Sequence, residues 1–201
     1  TFGTASVAQF AFALLLELCR QAGKHSEAVR RGDWGRSADW CFQLSPQVEL
    51  AGLTIGIVGF GRIGRQLGKI ADAVGMRVVA HDTNQVNAPD YEGFAWLGLE
   101  ELLATADVVS LHSPLFPETL GMINRDRLRL MKKTAFLINT SRGPLVKEQD
   151  LADALAAGEI AGAGLDVLNV EPPVEGSPLF TAPNCVLTPH IAWSTKAARA
   201  R

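Results

Sequence analysis

Apolar positions along this chain follow two periods, and the periods alternate. Val7, Phe10, Ala11, Leu14, Leu15 and Leu18 recur at helical spacing. Ser6-Val7-Ala8-Gln9, at the start of this run, has the form of a capping box. Phe12 and Leu16 lie on the opposite side, so this first helix is expected to be buried on more than one face. Residues 23–52 then lose periodicity. Gly23, Gly32, Gly35, Ser37, Ser45 and Pro46 interrupt them, while Trp34, Trp40 and Phe42 offer large apolar surfaces that need a partner. From Leu53 onward short apolar runs alternate with helical stripes. Strands are expected at 53–59, 76–81, 108–111, 135–139, 161–167 and 185–187. Helices are expected over 63–74 (closed by Gly75), 99–104, 125–131 and 147–157, and another begins at 195–201. Strands that are apolar throughout and alternate with amphipathic helices form βαβ units. The predicted class is therefore α/β, a doubly wound parallel sheet in three layers.

Composition narrows this picture. The 201 residues are 47% hydrophobic and 20% charged, which excludes intrinsic disorder and is enough to bury about 70% of the unfolded surface. Lys and Arg number 19 against 21 Asp and Glu, a net charge of −2, so no clustered positive field favours nucleic acid. The longest uninterrupted apolar run, residues 10–16, is short of the roughly 20 residues of a membrane span, and it lacks the flanks of a signal peptide. Cys19, Cys41 and Cys185 are odd in number and far apart, with no metal-type spacing; they are expected to be buried and reduced, which fits a cytoplasmic protein.

Gly59-Phe60-Gly61-Arg62-Ile63-Gly64 follows a predicted strand and opens a predicted helix, the context that the dinucleotide fingerprint requires. Gly59 permits the tight turn, Gly61 lets the backbone approach a pyrophosphate, and Gly64 lets helix and strand pack closely. The helix N-terminus adds amides and partial positive charge, so the fold is of Rossmann type. Asp82 ends the second strand, where its carboxylate can accept from an adenosine ribose. Thr83 and Asn84 follow with no basic residue, which favours NAD over NADP.

Three polar residues stand near later strand ends, where ligands gather in open α/β sheets: Arg142, Glu171 and His190. Together they read as an anion clamp, an orienting carboxylate and a proton donor. A histidine titrates in the physiological range, and a neighbouring carboxylate favours its charged form and fixes its tautomer. His112, after another strand, could line the same cleft but reads as structural, and His25 and His81 are weaker candidates still.

With these residues in view, the chain resembles the cofactor-binding part of the D-2-hydroxyacid dehydrogenases, near the glycerate dehydrogenase or hydroxypyruvate reductase branch. The stretches that carry the likeness are 3–18, 58–64, 110–115, 136–146, 162–173 and 187–193. The resemblance implies an NAD-dependent hydride transfer to or from a small 2-hydroxy or 2-oxo acid. It gives Arg142 the substrate carboxylate and carbonyl, and makes His190 the acid–base partner of Glu171. It assigns Arg62 and Ile63 to the pyrophosphate and Asp82 to the ribose. Thr119, Thr140, Ser141 and Asp166 line the nicotinamide side, with Arg142, His190 and Trp193 also bordering the cofactor. Family members dimerise through this domain, so Trp34, Trp40 and Phe42 are expected to be buried at a two-fold interface.

The resemblance divides the chain into an interdomain-type helix (1–22), a dimerisation arm (23–52), the NAD-binding domain (53–193) and the start of a return helix (194–201). The family's additional substrate domain has no counterpart here, and the chain begins on Thr1 without methionine. It is therefore expected to be a fragment that binds NAD with little turnover. Two rivals remain open: a non-enzymatic NAD-sensing module of the corepressor kind, and a formate- or phosphite-type dehydrogenase.

Overall fold

The computed structural model describes residues 3–200; the expectations that fall on Thr1 and Arg201 lie outside the described residues. The chain runs through α1 (Thr4–Arg20), α2 (Ala22–Arg30), β1 (Thr54–Val58), α3 (Arg62–Ala73), β2 (Arg77–His81) and β3 (Ala95–Trp96). It continues through α4 (Leu99–Thr105), β4 (Val108–Leu111), α5 (Arg125–Leu128), β5 (Phe136–Asn139), α6 (Glu148–Ala156), β6 (Gly162–Leu165), β7 (Cys185–Leu187) and α7 (Lys196–Ala200). The seven strands form one sheet in the order β3-β2-β1-β4-β5-β6-β7, and every pairing is parallel.

Every residue of β1, β4, β5 and β6 is buried, which is why these strands read as unbroken apolar runs rather than alternating ones. One face is covered by α1 and α3, with Leu14, Leu15, Leu18, Leu67 and Ala71 set against Ile55, Ile57, Val78 and Ile138. The other carries Leu102, Leu103, Leu128, Leu151 and Leu155 from α4, α5 and α6 against Val79, Val109, Leu137 and Ala163. Each fully buried Leu or Ile in these layers contributes about 1.5–3 kcal/mol relative to exposure. The expected doubly wound, three-layer sheet is what the chain forms.

Several local expectations need correction. The first helix starts at Thr4 with Gly3 as its N-cap, and no side chain caps it. Ser6 is thus inside the first turn, and its hydroxyl donates instead to the Ala192 carbonyl at 2.5 Å. Leu16 is 39% exposed, so α1 buries one face and leaves the other open. Part of the stretch 23–52, expected to be irregular, is instead helical: α2 (Ala22–Arg30) is a polar helix that buries only Ala28. Strand β3 is two residues long and falls below what a period can reveal. Of the cysteines, Cys19 is buried, Cys185 is half-buried and Cys41 is exposed. Burial pushes the thiols of Cys19 and Cys185 up to about 11 and about 12, so both remain protonated. On the single chain Trp34 and Trp40 are 53% and 83% exposed, which is compatible with the expected burial under a partner and corrects nothing.

Candidate functional site

Strand order reverses about β1, whose neighbours are β2 and β4, and the loops after these strands open the crevice where such sheets bind ligands. Gly59 follows β1 with φ +92°, a conformation that favours glycine. A Cβ there would also lie 2.6 Å from the His112 carbonyl carbon, so β1 and β4 could not approach this closely. At Gly64 a Cβ would meet the Gly59 oxygen at 2.3 Å. Gly61 is different: a Cβ would meet nothing within 4 Å, and the space beside the N-terminus of α3 is open. Asp82 closes the turn from the next strand. Its Oδ2 accepts from the Phe60 amide at 2.7 Å and its Oδ1 from the Asn84 amide at 2.9 Å.

The turn fits a dinucleotide: an open cradle at Gly61, amides at a helix N-terminus, and a carboxylate at the end of the second strand. Further along the edge, Thr140 is buried with an Oγ1 that has no partner, a polar atom left for a ligand. Arg62 and Ile63 form the first turn of α3, as the fingerprint requires. Ser141 is less available, because its hydroxyl donates to the Ser113 carbonyl at 2.7 Å. The Thr119 hydroxyl is absorbed by its own loop, donating to the Pro114 carbonyl at 2.9 Å and accepting from the Phe116 amide at 2.8 Å. Trp193 is 44% exposed beside the His190 loop.

Arg142, Glu171 and His190 come from three separate loops and meet. They line one small cleft of about 150 Å³. His190 Nδ1 and Glu171 Oε2 are 2.5 Å apart, and Glu171 Oε1 accepts from the Leu168 amide at 2.8 Å. The carboxylate is thereby held from its own loop, and it holds the ring through Nδ1, so Nε2 is the nitrogen available for proton exchange. A larger cavity of about 410 Å³, walled by Leu168, Pro172, Phe180 and Leu187, adjoins the same pair. Arg142 is exposed and donates to the carbonyl of Ser141 at 2.7 Å, which leaves most of its guanidinium donors for an anion. Its loop packs against the backbone of the Glu171 loop because residue 143 is glycine: a Cβ there would overlap the Leu168 carbonyl.

Asp166 lines the larger cavity beside Glu171 and His190, and it also braces the His190 loop. It is 1% exposed, and its Oδ1 accepts from Thr188 Oγ1 at 2.6 Å and the Ile191 amide at 2.9 Å. Its Oδ2 accepts from the Ala192 amide at 2.8 Å. Asp166 is thus the post around which the His190 loop is wound. His190 itself sits at φ 54°, a left-handed conformation held by that winding. Sequence reasoning missed Thr188 and Ser6 as parts of this loop's support, although Thr188 stands two residues from His190.

His112 is structural, as expected. Its Nε2 pairs with Ser110 Oγ at 2.8 Å, its Nδ1 has no partner, and burial pushes the imidazole down to about 4. His81 Nδ1 lies 3.1 Å from the carbonyl of Leu97, and His25 belongs to α2. Among the described residues no group of His, Cys, Asp and Glu could hold a metal, and no helix is long and apolar enough to cross a membrane.

Comparison with known proteins agrees with this geometry. Residues 12–192 match the family model for the D-isomer specific 2-hydroxyacid dehydrogenase, NAD binding domain. The chain is 50% identical over 201 residues to a hydroxypyruvate reductase of Blautia hydrogenotrophica, covering 100% of this chain and 62% of that protein. It superposes on the TT0316 protein of Thermus thermophilus with a TM-score of 0.88 and 44% identity, covering 98% of this chain and 61% of that one. It also superposes on the NAD-complexed form of a D-isomer specific 2-hydroxyacid dehydrogenase from Lactobacillus delbrueckii, with a TM-score of 0.82 and 34% identity, covering 98% and 62% of the two chains. The chain therefore spans about three fifths of the length of these relatives. A fingerprint turn at the switch point, a matching sheet and a family match across nearly all of its length lead to one conclusion: the chain belongs to the D-isomer specific 2-hydroxyacid dehydrogenases, as their NAD-binding domain.

Proposed function

We propose that this domain serves an oxidoreductase that moves a hydride between NAD(H) and a small D-2-hydroxy or 2-oxo acid of the glycerate–hydroxypyruvate kind. The observation that carries the reading is the meeting of Arg142, Glu171 and His190 at the edge that also bears the glycine turn. NAD, when bound, supplies the hydride acceptor or donor. The Gly59–Gly64 turn and the first turn of α3 would hold its pyrophosphate, Asp82 its ribose, and Thr140 its nicotinamide end. Arg142 binds the substrate carboxylate and offsets charge on the carbonyl oxygen. His190 gives its Nε2 proton to that oxygen during reduction and takes it back during oxidation, while Glu171 stabilises the imidazolium through Nδ1. Likeness to the Blautia hydroxypyruvate reductase favours hydroxypyruvate among 2-oxo acids.

The chain alone is expected to bind NAD with little turnover, because closing a second domain over the site is what excludes water. The test is a chimera in which this chain replaces the matching part of the Blautia enzyme, with NADH oxidation followed across a panel of 2-oxo acids. Hydroxypyruvate-dependent oxidation by the chimera supports the reading, and its absence in a folded, NAD-binding chimera overturns it. Rapid turnover by the isolated chain would overturn the expectation of an incomplete site.

Two further parts of the reading concern assembly and compartment. The exposed Trp34 and Trp40 support a homodimer through residues 23–52, and a stable monomer in light scattering at micromolar concentration would count against it. The exposed free thiol of Cys41 supports a reducing, cytoplasmic setting.

A further inference from the structure

We infer that Ser6 is a positioning residue for His190, tying the first helix of the chain to the loop that carries the imidazole. The inference rests on the reading of His190 as the acid–base group.

Ser6 is 5% exposed, and a buried hydroxyl without a partner is costly. In the first turn of a helix a serine ordinarily satisfies a local backbone group. Here it does not: no side chain caps α1, and the hydroxyl donates at 2.5 Å to the carbonyl of Ala192, 186 residues away. That carbonyl belongs to the segment that Asp166 winds from the other side. Asp166 takes the amides of Ile191 and Ala192 through its carboxylate, and its backbone oxygen accepts from the His190 amide at 2.9 Å.

The Asp166 contacts with this loop come from the end of β6 and reach only N–H groups and the Thr188 hydroxyl. A loop held from one side can still swing about its post. The Ser6 bond reaches the next peptide plane from α1, so the two planes flanking Ala192 are fixed by two different elements. His190 lies two residues upstream at φ 54°, a conformation that relaxes once its surroundings loosen. The 2.5 Å contact of Nδ1 with Glu171 tolerates little displacement, because Glu171 is held independently by the Leu168 amide. Ser6 therefore acts on the imidazole through the backbone and touches neither substrate nor cofactor.

The experiment compares Ser6→Ala, Ser6→Cys and Ser6→Thr in the chain itself, without substrate. The readout is the downfield proton resonance of the His190–Glu171 hydrogen bond, with melting temperature measured alongside. Ala is a good helix residue and Cys keeps the shape of serine with a somewhat larger atom that donates weakly, so both variants are expected to fold. Both should broaden or lose the resonance, and Ser6→Thr, which keeps the hydroxyl, should retain it. A sharp resonance in Ser6→Ala overturns the inference, and so does parent-like behaviour of Ser6→Cys, which would reduce the role of Ser6 to packing. In the chimera, Ser6→Ala and Ser6→Cys should lower kcat about tenfold with the 2-oxo acid KM little changed, since a small misplacement of a proton donor is felt in the chemical step. An unchanged kcat in both, with the parent active, overturns it as well. A chimera inactive in parent and variants alike strikes the proposed function, while the resonance still decides the role of Ser6.

Discussion

Two parts of one sheet edge are built by opposite means. The turn from Gly59 to Gly64 is made of backbone in a single run of six residues, and its requirement is the absence of side chains. The cluster of Arg142, Glu171 and His190 is made of side chains from three loops, and its requirement is the presence of remote supports: Gly143 under Arg142, the Leu168 amide under Glu171, and Asp166 and Ser6 under His190. A binding surface for a constant ligand can be local. A reacting group needs placement in three dimensions, and its supports come from wherever the fold brings them.

The largest effect that probes this contrast is chemical. His190→Ala in the chimera should lower kcat by about 10²–10⁴ and leave NAD affinity of the chain nearly unchanged, as expected for a general acid–base group. A loss under tenfold would remove His190 from that role and collapse the distinction between the two regions. Gly64→Ala should do the reverse. Its Cβ would press on the Gly59 oxygen at 2.3 Å, so stability should fall by about 1–3 kcal/mol and NAD binding should weaken; calorimetry with and without NAD measures both. Asp82→Ala should narrow the preference for NAD over NADP by about tenfold, or about 1.4 kcal/mol, in titrations of the chain. An unchanged ratio would confine Asp82 to bracing the Phe60 and Asn84 amides.

The smallest effect at neutral pH comes from His112, whose backbone packs against Gly59. Its imidazole titrates at about 4 in the folded chain against 6.5 when unperturbed, because burial disfavours the charged form. Between these values the unfolded chain binds more protons, so stability falls as pH drops from 6.5 towards 4 and is fully restored above 6.5. Denaturant titrations over that range should show the slope, and His112→Gln should remove this part of it.

The sequence disclosed these regions unequally, for the same physical reason. The alternation of strands and helices was legible because a sheet covered on both faces demands uninterrupted apolar strands, as in Thr54–Val58 and Phe136–Asn139. The glycine turn was legible because its constraint is local. Arg142, Glu171 and His190 could be named, but their meeting is a tertiary fact, and their supports carried little signal. Ser6 matched a cap and does something else, and no local pattern showed that Asp166 also braces the His190 loop. Helix α2 was missed because it buries only Ala28 and so has no apolar stripe. Strand β3 was missed because two residues make no period.

The bond from Ser6 to Ala192 also bears on when the site comes into being. It joins the first turn of α1 to a loop 186 positions later. A chain emerging from the ribosome can lay down its early strands and the glycine turn while Ala192 is still unmade, since domains assemble as their residues become available. The loop of His190 cannot lock until Ala192 has been added, and closing so long a separation is slow. Synthesis thus sets an order: every residue of the glycine turn is in place long before Ala192, and the proton-transfer group can take its working position only after that residue is added.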